Sequence, residues 1–95
     1  MYARVVRFTD VDTERIDSIA ADIEAGEPPP GVPAKGIQMI VDEAQGTAVA
    51  VVLFESEEDM RAGAVALEAM DVSETPGTRV SVDSGEVKAS MEMKL

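Results

Sequence analysis

The sequence predicts one α+β domain, a four-stranded antiparallel sheet with two helices on one face. Strand-like and helix-like segments follow each other in the order β, α, β, β, α, β, judged from the spacing of apolar residues. A chain of 95 residues buries roughly 64% of its surface on folding, which supports a single core. No stretch approaches the ~18 apolar residues of a membrane-spanning helix. Residues 1–95 are therefore expected to form one domain.

The first strand is predicted over Tyr2–Phe8, where β-branched and aromatic residues alternate between two faces. Helix 1 is predicted over residues 12–25, because the isoleucines recur at helical spacing while acidic residues face outward. Oxygen-bearing side chains at positions 10–13 suit the helix N-cap, and Gly26 suits the position just past its end. The proline-rich segment 28–33 then forms a stiff, polyproline-like connector.

Strands 2 and 3 are predicted over residues 36–41 and 47–54 as a hairpin, with Gly46 at a loop position where φ is positive. Ser56 is the expected N-cap of helix 2, which is predicted over residues 57–70 from one apolar stripe. The stripe consists of Met60, Ala64, Leu67 and Met70.

Strand 4 is predicted to begin at Arg79 after a Thr-Pro-Gly turn. Its apolar positions change from even numbers, Val80 and Val82, to odd numbers from Val87 onward. Because the side-chain period of a strand is two, this change predicts a β-bulge near Ser84–Gly85, which bends or splits the strand. The complete order, βαββαβ, is that of a ferredoxin-like sandwich.

The two central hairpin strands are apolar on both faces, so two helices cannot cover all of this apolar surface. Val49, Val51 and Leu53 point to one face, and the alternate residues of strand 3 point to the other. A sheet with one solvated face normally alternates between apolar and polar residues. We therefore expect a homodimer that pairs the uncovered sheet faces, with the C-terminal segment 91–95 long enough to cross the partner. A monomer is the alternative.

Composition excludes several functional classes. The net charge of −11 disfavours binding to nucleic-acid phosphates and to anionic membranes. Acidity of this kind keeps a small protein soluble and dispersed. Without Cys or His there is no Ser-His or Cys-His pair and no zinc site of the usual kind. The acidic run 55–59 lacks the spacing of a calcium loop. No metal or cofactor is predicted, and the strand-like start, unlike a signal peptide, favours a cytoplasmic protein.

The segment Phe54-Glu55-Ser56-Glu57-Glu58-Asp59-Met60-Arg61-Ala62 resembles the strand-to-helix junction of the antibiotic biosynthesis monooxygenase-like proteins. The Met-Tyr-Ala-Arg-Val start, Pro30-Gly31 and the segment 82–87 resemble the same family. The resemblance implies a dimeric α/β barrel, in which two ferredoxin-like sheets pack face to face around a small, often aromatic, molecule.

The resemblance also implies that the catalytic residues of the family's known enzymes are largely missing from this chain. Quinone-forming monooxygenases of the family rely on an Asn, Trp and Tyr set, and its heme-degrading members on an Asn, Trp and His set. This chain has no Asn, Trp or His. Phe54 stands where many relatives have Trp, and Gly85 where a Tyr is common.

Four residues are the candidate ligand-binding groups. Arg4 places a cation on an otherwise apolar strand face, where a guanidinium can bind a carboxylate or phenolate with two hydrogen bonds. Tyr2 is the single phenol, Gln38 interrupts strand 2, and Phe54 holds the family's Trp position. Each also has a plain structural interpretation, as an ion pair, a surface hydroxyl, an outward polar side chain or a core ring.

Two functions remain open at this point. The first is a non-catalytic protein that binds a small apolar or aromatic molecule, or a protein partner, and has no catalytic residues. The second is a cofactor-independent monooxygenase or isomerase for an aromatic or quinone-type substrate, with Arg4 and Tyr2 as electrostatic and proton-transfer groups. A closed sheet interface filled by side chains favours the first, and a polar-ended pocket of a few hundred Å³ that contains Arg4 or Tyr2 favours the second.

Overall fold

The computed structural model describes residues 1–27, 29, 31–70 and 75–91. Its elements are β1 (Tyr2–Thr9), α1 (Thr13–Glu24), β2 (Gly36–Asp42), β3 (Thr47–Phe54), α2 (Glu57–Glu68) and β4 (Thr78–Glu86). The strands form one antiparallel sheet in the order β2-β3-β1-β4. This topology confirms the predicted ferredoxin-like arrangement. Within the described ranges, no helix has the length and apolarity needed to cross a membrane.

Both helices begin at the predicted cap residues. The Asp12 carboxylate accepts hydrogen bonds from the backbone N–H groups of Glu14 and Arg15, at 3.0 and 3.2 Å. The Ser56 hydroxyl accepts one from the Asp59 N–H at 3.1 Å. These side chains satisfy N–H groups that have no partner inside the helix.

Two turns have a glycine at the position where φ is positive. Gly26 after α1 has a φ of 74° and Gly46 in the β2–β3 hairpin a φ of 68°, and other residues avoid this left-handed region. Both positions were predicted from the sequence. Part of the predicted proline connector, Pro28 and Pro30, lies outside the described residues, as do Met93 and Leu95.

The two faces of the sheet differ in what covers them. The helix face consists of the even-numbered residues of β1 and β3 and the odd-numbered residues of β2, and α1 and α2 pack on it. The open face carries the alternate residues and has no cover within the described chain. Apolar side chains on the open face are Ala3, Val5, Val49, Val51, Leu53 and Ile40.

The best-filled part of the helix face lies around Phe54, which is fully buried at the end of β3. Val32 and Val52 pack with it, and Met60 and Leu67 of α2 adjoin the cluster. A Cβ on Gly63 of α2 would lie 2.5 Å from the Phe54 ring. The helix therefore approaches the ring this closely because position 63 has no side chain.

Strand β4 departs from the predicted bulge position. Ser84 and Gly85 pair regularly with β1, so the bulge predicted there is wrong, and the register shifts instead opposite Arg7 and Phe8, where Val80 is the extra residue. Bulges are common on edge strands such as β4. The described residues 87–91 have left the strand, which explains why the apolar alternation changes there.

The turn 75–77 ties α1 to the start of β4. The Asp12 N–H donates to the Pro76 carbonyl at 2.8 Å, and the Arg15 guanidinium donates to the Thr75 carbonyl at 3.4 Å. A Cβ on Gly77 would lie 2.5 Å from the Thr9 carbonyl oxygen, so this turn is packed closely against the end of β1. The N-terminal turn of α1 is thereby held at a defined distance from the sheet.

Candidate functional site

A cleft of about 650 Å³ lies on the helix face, between α1 and α2. Its floor is the sheet, and its walls are the facing sides of the two helices. Floor residues are Arg4, Val6, Phe8, Ile37, Met39, Ala50 and Val52, and the main wall residues are Ile19, Ile23, Leu67 and Met70. The lining is therefore mostly apolar, with one buried charged group, Arg4, in the floor.

The cleft is present because the helices divide the sheet between them. Helix α2 packs against β1 and β3, and α1 packs against β2. Between the two helices the floor carries Ala50, whose methyl group leaves the space that a larger side chain would fill. The cavity of the single chain thus lies on the helix side, whereas the sequence analysis expects one on the open face.

Arg4 supplies the buried charge in the floor of the cleft. It pairs with Val52 and Ser84 in the middle of the sheet and is only 5% exposed. Its Nη2 donates to Glu68 Oε1 at 2.9 Å, and no other acceptor within the described residues bonds to its guanidinium. A guanidinium has five N–H donors, so Arg4, which lines the cleft, can donate further hydrogen bonds to an acceptor that enters it.

Glu68 at the end of α2 accepts hydrogen bonds from two arginines through one oxygen. The Arg79 Nη1 also donates to Glu68 Oε1, at 2.5 Å. Hydrogen bonding from Arg79 is the main cause that lowers the pKa of the Glu68 carboxyl below its ordinary value, and the charge of Arg4 adds to it. The Glu68 side chain is 49% exposed, so this carboxylate lies at the water boundary while Arg4 lies below it.

The cleft gathers arginines in an acidic protein. Three of the five arginines of the chain line it, namely Arg4, Arg15 and Arg79. Among the described residues, Asp22 and Glu27 are the carboxylates of the lining, and Glu68 bonds to Arg4 and Arg79 from the end of α2. The described charged groups at the cleft therefore balance, whereas the chain as a whole carries −11.

The four candidate residues from the sequence occupy different places. Arg4 lines the cleft. Tyr2 and Phe54 face each other across β1 and β3 and belong to the packed cluster beside the cleft. Gln38 is exposed on the open face. The structure therefore brings together Arg4 with partners that were not on that list.

Sequence reasoning missed Arg15, Arg79 and Glu68. Arg79 is close to Arg4 because the register shift at Val80 sets its place on β4. Glu68 is the last residue of α2, directly after Leu67 and two residues before Met70, and this spacing is its only sequence signal. Among the described residues no group of three acidic, His or Cys side chains is arranged to hold a metal ion.

No known protein-family profile matches this sequence, and no curated protein matches it. Solved structures do resemble its fold. The heme-degrader MhuD from Mycobacterium tuberculosis, solved with two hemes bound in its active site, has a TM-score of 0.61 and 21% identity. The match covers 97% of this chain and all of MhuD.

Rv0793 from Mycobacterium tuberculosis is a second match, with a TM-score of 0.57 and 13% identity over 96% of this chain and 98% of Rv0793. Sequence identities this low establish the fold and leave the activity open. The ferredoxin-like fold expected from the sequence is thus confirmed over nearly the whole chain.

Proposed function

We propose that this chain, which has the fold of the antibiotic biosynthesis monooxygenase-like proteins, binds a small apolar or aromatic molecule in the cleft between its helices and its sheet. The observation that carries the proposal is the cleft of about 650 Å³ with an apolar lining and the buried Arg4 in its floor. Small-molecule sites are typically clefts of roughly 300–1,000 Å³ with apolar walls and a few polar groups.

An apolar ligand is favoured over water in this cleft because the lining is mostly apolar. The floor side chains Val6 and Val52 are themselves buried, and Ile19, Ile23 and Leu67 add apolar surface above them. An apolar ligand that covers this surface gains about 25 cal/mol for each Å² removed from water.

The cleft does not fit a resident heme of the kind that MhuD holds. Heme iron in proteins is held by His, Cys, Met or Tyr. This chain has no His or Cys, and its single Tyr does not line the cleft. Met39 and Met70 offer only thioethers, which hold heme iron mainly alongside a His ligand. We therefore propose a ligand without a metal.

The second candidate function is a cofactor-independent monooxygenase or isomerase, and Arg4 favours it. A buried guanidinium in an apolar pocket can stabilise the oxyanion of a phenol or enol as charge develops during reaction. Tyr2 lies outside the cleft lining, so Arg4 is the electrostatic group on which this candidate rests. Oxygen uptake with a quinol substrate tests it, because one atom of O₂ enters the product and the other leaves as water.

We also propose that the open face pairs with the open face of a second copy. Val5, Val49, Val51 and Leu53 form an apolar strip in the middle of this face, and Ile40 at its side is 57% exposed. A stable interface takes roughly 800 Å² from each subunit. The crossing of the C-terminal segment and a cytoplasmic location, both expected from the sequence, remain predictions.

Sedimentation velocity at micromolar concentration tests the dimer. The wild type is expected at twice the mass of one chain, and Val51→Lys at the mass of one chain, because the added charge has no partner in an apolar interface. Val65→Lys is the control, since Val65 is 73% exposed on α2. A wild-type monomer contradicts the proposal.

Titration with the neutral fluorophore N-phenyl-1-naphthylamine tests the cleft. We expect one saturable site per chain in the wild type and at least a tenfold loss of affinity in Ala50→Phe, whose ring fills the floor of the cleft. Val65→Phe adds the same ring outside the cleft and should leave the affinity unchanged. Equal binding by wild type and Ala50→Phe would place the fluorophore elsewhere, for example on the open face, and would refute the proposal.

A further inference from the structure

The floor of the cleft holds a buried cation, the Arg4 guanidinium. Its ion-pair partner, the Glu68 carboxylate, is about half exposed to water. Arg4 is 5% exposed, whereas the side chain of Glu68 is 49% exposed. A buried charge needs a partner, because an unpaired one is strongly destabilising. An exposed carboxylate has no such need, since water solvates it well. The two members of this ion pair therefore differ in how much they depend on it.

The bonding between them leaves room for a better acceptor. Glu68 presents a single oxygen, Oε1, to both Arg4 and Arg79. A guanidinium binds a carboxylate best through two parallel hydrogen bonds, one to each oxygen. Arg4 makes one bond to Glu68 at 2.9 Å. A carboxylate that enters from the cleft side can accept two.

The electrostatics of the cleft also admit an anion. The chain carries −11 and repels anions at long range, but screening at physiological salt limits this repulsion to roughly 8 Å. Arg15 and Arg79 line the cleft together with Arg4, and the described carboxylates of the lining are Asp22 and Glu27. When Glu68 leaves Arg4 it keeps Arg79 as a partner, so the exchange leaves neither carboxylate unpaired.

We propose that the ligand is a carboxylate on an apolar or aromatic body, and that its carboxylate replaces Glu68 on Arg4. This inference rests on the proposed small-molecule site. It adds the chemical class of the ligand and assigns Glu68 as the internal counter-ion that holds the Arg4 charge until the ligand arrives. The apolar body covers the floor around Val6, Val52 and Ala50, and the charged end lies at Arg4.

Two competitors of the same shape test the proposal against bound N-phenyl-1-naphthylamine. They are 2-naphthoate, which carries the carboxylate, and 2-naphthamide, which is neutral. We expect the wild type to prefer naphthoate by at least tenfold. In Arg4→Met, which keeps an unbranched side chain but removes the charge, we expect the preference to disappear while naphthamide affinity changes less than twofold.

Glu68→Gln tests the counter-ion directly and changes a half-exposed residue at the surface. Because the variant removes the competing carboxylate, we expect naphthoate to bind several-fold more tightly and naphthamide to bind as before. Glu58→Gln makes the same charge change at the other end of α2, outside the cleft lining, and is the matched control. If Arg4→Met does not fold, Glu68→Gln decides.

The outcomes separate the two proposals. Saturable fluorophore binding with equal affinity for naphthoate and naphthamide overturns the carboxylate proposal and retains the small-molecule site. Absence of fluorophore binding overturns the site itself. A naphthoate gain shared by Glu68→Gln and Glu58→Gln would reflect net charge alone and would also overturn the assigned role of Glu68.

Discussion

Two halves of the same sheet face are built differently. Around the end of β3, Phe54 is completely buried between Val32, Val52 and α2. Next to it, over Arg4 and Ala50, the helices leave a cleft of about 650 Å³. Both halves lie on β1 and β3, and α2 borders both of them. The contrast shows that the size of single residues decides where this fold closes and where it stays open.

The closed half depends on a large side chain opposite a missing one. The ring of Phe54 occupies the space that a Cβ at Gly63 would need. The open half has the reverse arrangement, a methyl group at Ala50 and a charged side chain at Arg4. Over Arg4, the end of α2 supplies an ion-pair partner, Glu68, in place of an apolar side chain.

Removal of the Phe54 ring should have the largest effect on stability, because it empties the closed half. Phe54→Ala is expected to lower the free energy of unfolding by about 3–5 kcal/mol, because it deletes the largest fully buried side chain. Urea denaturation followed by circular dichroism measures this. Val65→Ala, at a position 73% exposed, should stay within about 0.5 kcal/mol. Similar losses for both variants would mean that the Phe54 cluster is not packed in solution.

Overfilling the closed half should lower the free energy of unfolding by a smaller but measurable amount. Gly63→Ala places a methyl group 2.5 Å from the Phe54 ring, and we expect a loss of about 1–3 kcal/mol. Gly85→Ala is the matched control, because nothing lies within 4 Å of its added Cβ. The same denaturation experiment compares the two, and a neutral Gly63→Ala would contradict the close helix approach.

Overfilling the open half should be tolerated. Ala50→Leu adds three carbons to the cleft floor, where space is available, and we expect a change in unfolding free energy of less than about 1 kcal/mol. Fluorophore affinity should fall sharply in the same variant. If Ala50→Leu destabilises as much as Gly63→Ala, the cleft is closed in solution and the contrast between the halves is lost.

The smallest expected effect concerns pH. The pKa of Glu68 is lowered in the folded protein, mainly by its hydrogen bond with Arg79. The ionised carboxylate therefore stabilises the fold at pH values above its ordinary pKa of 4.5. This contribution is lost as the pH falls through the lowered pKa of the folded state. The urea midpoints of wild type and Glu68→Gln should therefore differ more at pH 7 than at pH 3. A difference that grows on acidification would show the opposite sign of coupling.

The sequence predicts the local parts of the fold well for a physical reason. Asp12 and Ser56 cap helices through bonds two or three residues away, and Gly46 adopts its φ without help from the rest of the chain. The bulge was predicted at the wrong place, because alternation alone cannot show where β4 leaves the sheet. Val80 becomes the extra residue through pairing with β1, which is a tertiary event.

The site was only partly predictable. Arg4 was identified from its residue type and strand face, and this needs only the period of a strand. Its neighbours Glu68 and Arg79 come from elements far along the chain, so their proximity depends on helix placement and on the β4 register. The cleft itself is a gap between helices, and no pattern of residues along one element encodes its width.

The anchoring of α1 at one end has a consequence for ligand size. Hydrogen bonds to the turn 75–77 hold Asp12 and Arg15 at the first turn of the helix, and none joins its last turn to the sheet within the described residues. A tilt of α1 about this first turn would therefore change the width of the cleft mainly near Glu27. Ligands that share one headgroup but differ in tail length would then be accommodated from a fixed charged end, so chain length would be a weaker determinant of selectivity than the headgroup.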